Sequence, residues 1–321
     1  MKPLHQLTLT VAACLLSGCA FLAVQTAPAK VASSSRSALA LKADAMFWDT
    51  LHGGNYAGIS RALELMTAAY LQDPADAISA AHVGWLHIWT LAEHGRNEAQ
   101  SARVTDHAVM ARRYFQEAVR LDPSEARYLG FLGSAQLAEG SIHKDERLTR
   151  EGYFTLLASV DAWPEFNLFT AGYTFSRLPA ASGQFQDGLA MQWKTLDLCV
   201  GESVDRANPD FARYMSLSTT TGRKRVCWNS WIAPHNLEGF FLNMGDMLVK
   251  AGDWQTAQKI YANARHSTDY ASWKLAPVLE TRIAEAEANV AKFNGSSVSV
   301  GAARVPMMGQ STFACMGCHQ R

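Results

Sequence analysis

The chain has no excess of charge of either sign: 29 Lys and Arg stand against 29 Asp and Glu, a formal net charge of zero. Binding a polyanion calls for a basic face, so nucleic acid is excluded as a partner. The only basic cluster, Arg223-Lys224-Arg225, is short and reads as a solvated turn. Strand patterns are nearly absent, which leaves an all-α fold. There is no Gly-rich phosphate loop, no His-x-x-x-His pair and no Ser/His/Asp grouping above chance, so conventional enzymatic residues are not visible. Cysteine is scarce as well, with six in 321 residues.

What is present begins at the C-terminal end, Cys315-Met316-Gly317-Cys318-His319. Cys-x-x-Cys-His is the attachment signature of c-type haem. Two thiols across a two-residue turn reach the two vinyl groups of one porphyrin, and the adjacent imidazole falls beneath the iron as proximal ligand. Gly317 suits the tight turn. Zinc and a thiol redox pair are the competing readings. Zinc needs two further ligands at workable spacing, and no second Cys pair supplies them. A thioredoxin-like site needs a βαβ context that is lacking here. One covalent haem c on Cys315 and Cys318, with His319 on the iron, is the expectation.

Covalent haem attachment takes place outside the cytoplasm, so an export signal should accompany it. Lys2, the apolar run Leu7 to Leu16 and then Leu16-Ser17-Gly18-Cys19 resemble a bacterial lipoprotein signal with its lipobox. The apolar run matches an h-region and is too short to span a bilayer. The resemblance implies a signal peptide over 1–18, lipid on Cys19 and membrane attachment through that lipid. An ordinary cleaved signal is the alternative. Ala20, in place of Asp, goes with sorting to the periplasmic side of the outer membrane or the cell surface. Cys14 leaves with the signal, so Cys199 and Cys227 remain. In an oxidising compartment an isolated pair favours a disulfide over two buried thiols.

From about Asp44 apolar residues recur every three or four positions, a helical pattern. Ala62, Met66, Ala69 and Pro74 have offsets of 4, 7 and 12, which recur at Ala111, Phe115, Ala118 and Pro123. A weaker copy is Gly152, Leu156, Ser159 and Pro164, and Ala257, Tyr261 and Ala264 lack only the proline. These resemble the second helix of tetratricopeptide (TPR) repeats. The first-helix half is visible in Val83-Gly84, Leu132-Gly133 and Met244-Gly245. The resemblance implies that each of these glycines lies where the two helices of a repeat touch. The spacings depart from it, being 49 residues from Ala62 to Ala111 and 41 from Ala111 to Gly152, so longer helices or insertions are implied.

The expected organisation is a tether over 19–43, a TPR-like helical-hairpin solenoid over 44–293, a linker over 294–314 and a flexible haem-bearing tail over 315–321. Residues 167–237 show no clear repeat and read as an irregular helical insertion, with long loops around Pro179 to Gly188 and Cys199 to Asn208. Ala271 to Phe293 reads as one amphipathic capping helix.

About 27 residues follow Asn294, too few to build a haem-enclosing core of their own. The haem must therefore dock on the helical body or on a partner. Docking would order Met307 to His319 and leave Asn294 to Val305 mobile. For the sixth iron ligand, His235, Met307 and Met308 lead the candidates. Met307 and Met308 can also be a simple apolar anchor. His235 sits in the loop-like Trp228-Asn229-Ser230-Trp231-Ile232-Ala233-Pro234-His235, where ligands are more readily placed than in helix cores. His82, His87, His94, His107 and His266 also compete, with His87 reading as a packed core histidine. Trp85 and Trp89, at groove-facing positions in the resembled repeats, could form a porphyrin cradle with Trp228 and Trp231, or simply fill the core.

The expected function is one-electron transfer, with the helical body as docking surface for a redox partner protein. One rival is a peptide-binding scaffold whose concave groove takes a protein segment while the haem is structural or sensory. The other is a peroxidase-like enzyme with five-coordinate iron.

Overall fold

A computed structural model describes Thr26 and residues 28–93, 103–295 and 306–321. The expected signal peptide, Cys19, His94 and part of the linker (296–305) lie outside the described residues. The chain divides into two units, 1–32 and 33–321, and every described helix belongs to the second.

The fold is all-α, with no strand among the described residues. Eight helices form four successive pairs: α1 Ala38–His52 with α2 Ile59–Gln72, α3 Ala77–Ala92 with α4 Val104–Leu121, α5 Ala126–His143 with α6 Glu146–Ala162, and α7 Pro164–Phe175 with α8 Gly183–Val200. Irregular chain and short 3-10 turns follow to 235. Then come α9 Asn236–Ala251, α10 Trp254–Ala262, α11 Ala276–Ala284, α12 Ala286–Asn294 and the four-residue α13 Met316–His319. Helix starts are fixed locally. Ser37, Asp76, Asp145, Ser182 and Asp253 each accept a hydrogen bond from a backbone N–H of the first turn. Each such cap contributes about 1 kcal/mol.

Within the pairs the helices meet through small residues. A Cβ on Gly84 would lie 3.0 Å from the Phe115 ring, and one on Gly133 would lie 2.7 Å from the backbone nitrogen of Leu156. Gly245 of α9 faces the Tyr261 ring of α10 in the same way. The small and large residues of the sequence pattern (Ala62, Met66, Ala69; Ala111, Phe115, Ala118; Ala257, Tyr261, Ala264) are at most 1% exposed.

Several expectations need correction. The helical body starts before Asp44: α1 begins at Ala38, and Arg36 is held between Asp44 and Asp76, so the tether is shorter than expected. Residues 164–200 are a regular helix pair where an irregular insertion was expected. Gly183 and Gly188, read as loop punctuation, lie inside α8, where a Cβ on Gly188 would come within 2.8 Å of the Phe175 Cβ. The loop expected from Cys199 begins only after Gly201, which ends α8 in the left-handed conformation. The single capping helix over 271–293 is two, α11 and α12, broken at Glu285, with Pro277 in the first turn of α11. Cys199 and Cys227 are joined by a disulfide with their Cα atoms 5.8 Å apart.

Residues 307–319 are packed against the body, the extent of order expected for a docked tail, whereas the assignments of 307–314 to a linker and of 315–321 to a flexible tail do not hold. Met307, Met308 and Met316 are at most 2% exposed. Each buried methionine contributes about 1.5–3 kcal/mol, enough to order the short stretch around it.

Candidate functional site

The Cys-x-x-Cys-His residues sit on and just before α13, with Cys315 at its N-cap. The short helix is held from both sides by backbone contacts. On one side the Trp273 Nε1 donates to the Gly317 carbonyl at 2.9 Å, and the His235 N–H donates to the Cys318 carbonyl at 3.0 Å. Helix α9 approaches so closely that a Cβ on Gly239 would be 2.9 Å from the Gly317 oxygen and in collision with the Cys318 sulfur. On the other side the Arg321 N–H donates to the His52 carbonyl at the end of α1, 2.9 Å away.

The preceding segment is pinned by a buried polar group. Asp246 of α9, 0% exposed, accepts from the Met308 N–H at 2.8 Å, the Tyr261 hydroxyl at 2.6 Å and the Arg282 Nε at 3.1 Å. Arg282 in turn donates to the Pro306 carbonyl at 2.7 Å. Burial pushes the Asp246 carboxyl up, and Arg282 opposes that shift. Further along, Arg177 donates to the Gly309 carbonyl at 2.9 Å and the Tyr56 hydroxyl to the Thr312 carbonyl at 3.0 Å.

His319 is oriented by its Nδ1, 2.8 Å from the Ile232 carbonyl. A carbonyl can only accept, so the proton sits on Nδ1 and the Nε2 lone pair is left for a ligand. Burial pushes the ring pKa down to about 4, which keeps it in the neutral, ligating form. Burial pushes both the Cys315 and the Cys318 thiol up to about 12. A redox dithiol uses a lowered pKa, so this environment works against the thiol-exchange reading. The two thiols are not bridged to each other.

Around them lies an aromatic wall. The Trp85 ring of α3 is 5.2 Å from the His319 ring and 5.8 Å from Phe131 of α5, which is 5.8 Å from Phe166 of α7. Phe169 of α7 is 5.6 Å from Phe240 of α9. Tyr173, Cys315 and His319 are enclosed deeply enough for desolvation to dominate their titration, yet each keeps partial access to solvent.

The three candidate sixth ligands have other occupations. His235 is 2% exposed, with its Nδ1 3.2 Å from Glu238, which also takes the Ser267 hydroxyl at 2.7 Å. Met308 closes on Gly317 of the Cys-x-x-Cys-His turn, and Met307 is in the core. Of the other histidines, His82 pairs with Asp44 at 2.7 Å, His87 meets His107 at 2.8 Å between Nδ1 atoms, and His266 lies 3.7 Å from Asp210. The tryptophans divide. Trp85 reaches the site, Trp89 and Trp228 are core, and Trp231 is 57% exposed on the surface beside His52.

Residues that the sequence did not single out do much of the holding: Ile232, Trp273, Gly239, Asp246 and Arg282. The one signal for them was a glycine inside a helix, four residues after His235. Among the described residues no three His, Cys, Asp or Glu side chains converge as a metal-ion cage, and no helix is long and apolar enough to cross a membrane. In comparisons with protein-family models, curated proteins and solved structures, the chain matches none.

Proposed function

We propose that the chain is a monohaem c-type cytochrome that transfers single electrons, exported and held at a membrane by lipid on Cys19. The observation that carries this reading is the His319 Nδ1 contact with the Ile232 carbonyl, in a Cys-x-x-Cys-His turn that faces an aromatic wall. The donor set fits the group. Two neutral thiols would hold the ring covalently through Cys315 and Cys318, and a neutral imidazole with its Nε2 lone pair free would ligate the iron. When bound, haem c supplies a one-electron couple whose potential follows its axial ligands and its burial. The chain's own residues hold the turn against α9, fix the His319 tautomer and set the Trp85 ring against His319.

We read the body as TPR-like. The glycine-to-large-residue contacts Gly84–Phe115 and Gly245–Tyr261 support this, because they fall where the repeat resemblance implies that the paired helices touch. A redox partner protein would have a surface to meet next to the site: Trp231 and Ile232 are 57% and 42% exposed, and Ile232 is the residue whose carbonyl holds His319. Aromatic residues such as Trp231 are enriched at protein contacts.

The test is haem staining of a denaturing gel after expression with haem-attachment machinery. Wild-type protein should stain, and Cys315→Ala with Cys318→Ala should not, while the helical circular dichroism of the body persists. An unstained wild-type band would end the cytochrome reading.

A further inference from the structure

The carbonyl that holds the proximal histidine has a second neighbour. The Nε2 of His52, the last residue of α1, lies 3.4 Å from the same Ile232 oxygen that receives the His319 Nδ1 at 2.8 Å. The His52 ring is fixed in place by Trp48 at 5.4 Å and Trp231 at 5.1 Å between centroids, and it is 7% exposed. Its backbone carbonyl accepts the Arg321 N–H at 2.9 Å, two residues past His319. The turn after His52 completes the arrangement. Gly54 has φ +59°, a left-handed conformation that favours glycine, and a Cβ there would collide with the Gln320 side chain. The end of α1 thus grips the chain on both sides of His319, through the loop that carries Ile232 and through the residues after the ligand.

We infer that His52 is a positioning residue for the proximal ligand: by donating a second hydrogen bond to the Ile232 carbonyl, it limits how strongly that carbonyl draws the His319 Nδ1 proton. The inference deepens the cytochrome reading and rests on it. A carbonyl oxygen has two lone pairs, and two donors at different lengths share its electron density. The stronger the acceptor at Nδ1, the more electron density the imidazole passes through Nε2 to a metal, which favours the oxidised state. Removing the His52 donor strengthens the His319 hydrogen bond and lowers the reduction potential.

The experiment first measures covalent haem in the wild-type holoprotein by its alkaline pyridine spectrum. If there is none, the cytochrome reading fails and His52 is not in question. With haem present, the midpoint potential is titrated for wild type, His52→Phe and His52→Gln, with haem content and circular dichroism checked in each. His52→Phe keeps a ring against Trp48 and Trp231 without a donor, and its potential should be more negative. His52→Gln keeps an N–H donor and should stay close to wild type. In the reduced protein with carbon monoxide added, which makes the iron diamagnetic, the His319 ring N–H proton resonance should move downfield in His52→Phe only. A wild-type potential in His52→Phe, or equal shifts in both variants, overturns the inference. If His52→Phe does not take up haem, His52→Leu is read in its place against His52→Gln by the same criteria.

Discussion

Between α1 and α8 the paired helices approach through alanines and glycines, with buried polar groups scattered singly (Glu139, Asn167, Gln192), whereas around α9 buried charges gather in one place. In the first region ion pairs such as Arg61–Glu64 and Arg150–Glu146 lie on the surface, where each is worth about 0–1 kcal/mol. In the second, Asp246 and Arg282 are 0% and 4% exposed, and Glu238 is 0% exposed. Apolar contacts between helices need only volume and pattern, so they stack one pair on the next. Buried polar groups demand particular partners, and the partners here include backbone atoms of the tail: the Met308 N–H on Asp246 and the Pro306 carbonyl on Arg282. The polar core of the second region therefore specifies where 306–321 lies, which apolar packing alone would leave loose.

The largest test of this contrast is Asp246→Ala. It leaves Arg282 buried without its carboxylate, and it strips a partner from both the Tyr261 hydroxyl and the Met308 N–H. Breaking a buried pair in this way costs about 3–5 kcal/mol. Urea unfolding should show that loss, and amide exchange over 306–314 should quicken more than exchange in α3 or α5. Equal protection of the tail in variant and wild type would mean that the methionines hold it without Asp246.

The repeat region has its own sharp point at Gly133. A Cβ there would be 2.7 Å from the Leu156 nitrogen and 2.9 Å from its Cα, and backbone cannot move aside as a flexible side chain can. Gly133→Ala should therefore cost about 1–3 kcal/mol by overpacking. Gly183→Ala, with nothing within 4 Å of the new Cβ, should be neutral or slightly stabilising. The midpoints of thermal unfolding for the two variants, compared side by side, decide it. If Gly133→Ala melted as high as Gly183→Ala, the close helix contact would carry no weight.

The sequence was legible where the physics is local or periodic. The offsets of 4 and 7 from Ala62, Ala111 and Ala257 mark buried helix faces, and Gly84 and Gly245 mark close approaches, because a 3.6-residue period imposes both. The Cys-x-x-Cys-His spacing is equally local. What could not be read were contacts made through backbone or across long separations. The Ile232 carbonyl that holds His319 has no side-chain signature, and the partners Asp246, Arg282 and Met308 are brought together only by folding. Met307 and Met308 were readable as an apolar anchor on the tail, but their partners, the Asp246 carboxylate at the Met308 N–H and the core around Met307, were not.

One helix pair escaped the sequence pattern because of a polar residue at its centre, and it supplies the smallest expected effect. The pair α7 and α8 repeats the geometry of the others: Gly172 faces the Gln192 side chain, as Gly84 faces Phe115 and Gly245 faces Tyr261. On α8 the residues at offsets 0, 4 and 7 are Gly188, Gln192 and Thr195, all buried. The small–large–small pattern is present, but a polar amide and a hydroxyl occupy two of its places, so a search by hydrophobicity passes over it. Gln192 is 0% exposed, and its amide nitrogen is 3.4 Å from the Phe169 carbonyl. That long bond adds little, whereas the neighbouring pairs bury Phe or Leu at this place. Gln192→Met keeps the unbranched shape and volume while removing the buried amide. The volume is conserved and the long bond to the Phe169 carbonyl is what is lost, a net of about 0.5–1.5 kcal/mol at most, so the stability should change by less than about 1.5 kcal/mol. Urea unfolding of the variant measures it. A loss of about 3 kcal/mol or more would show that Gln192 is held by polar contacts specific to α7 and α8, and that this pair is built on a principle different from its neighbours.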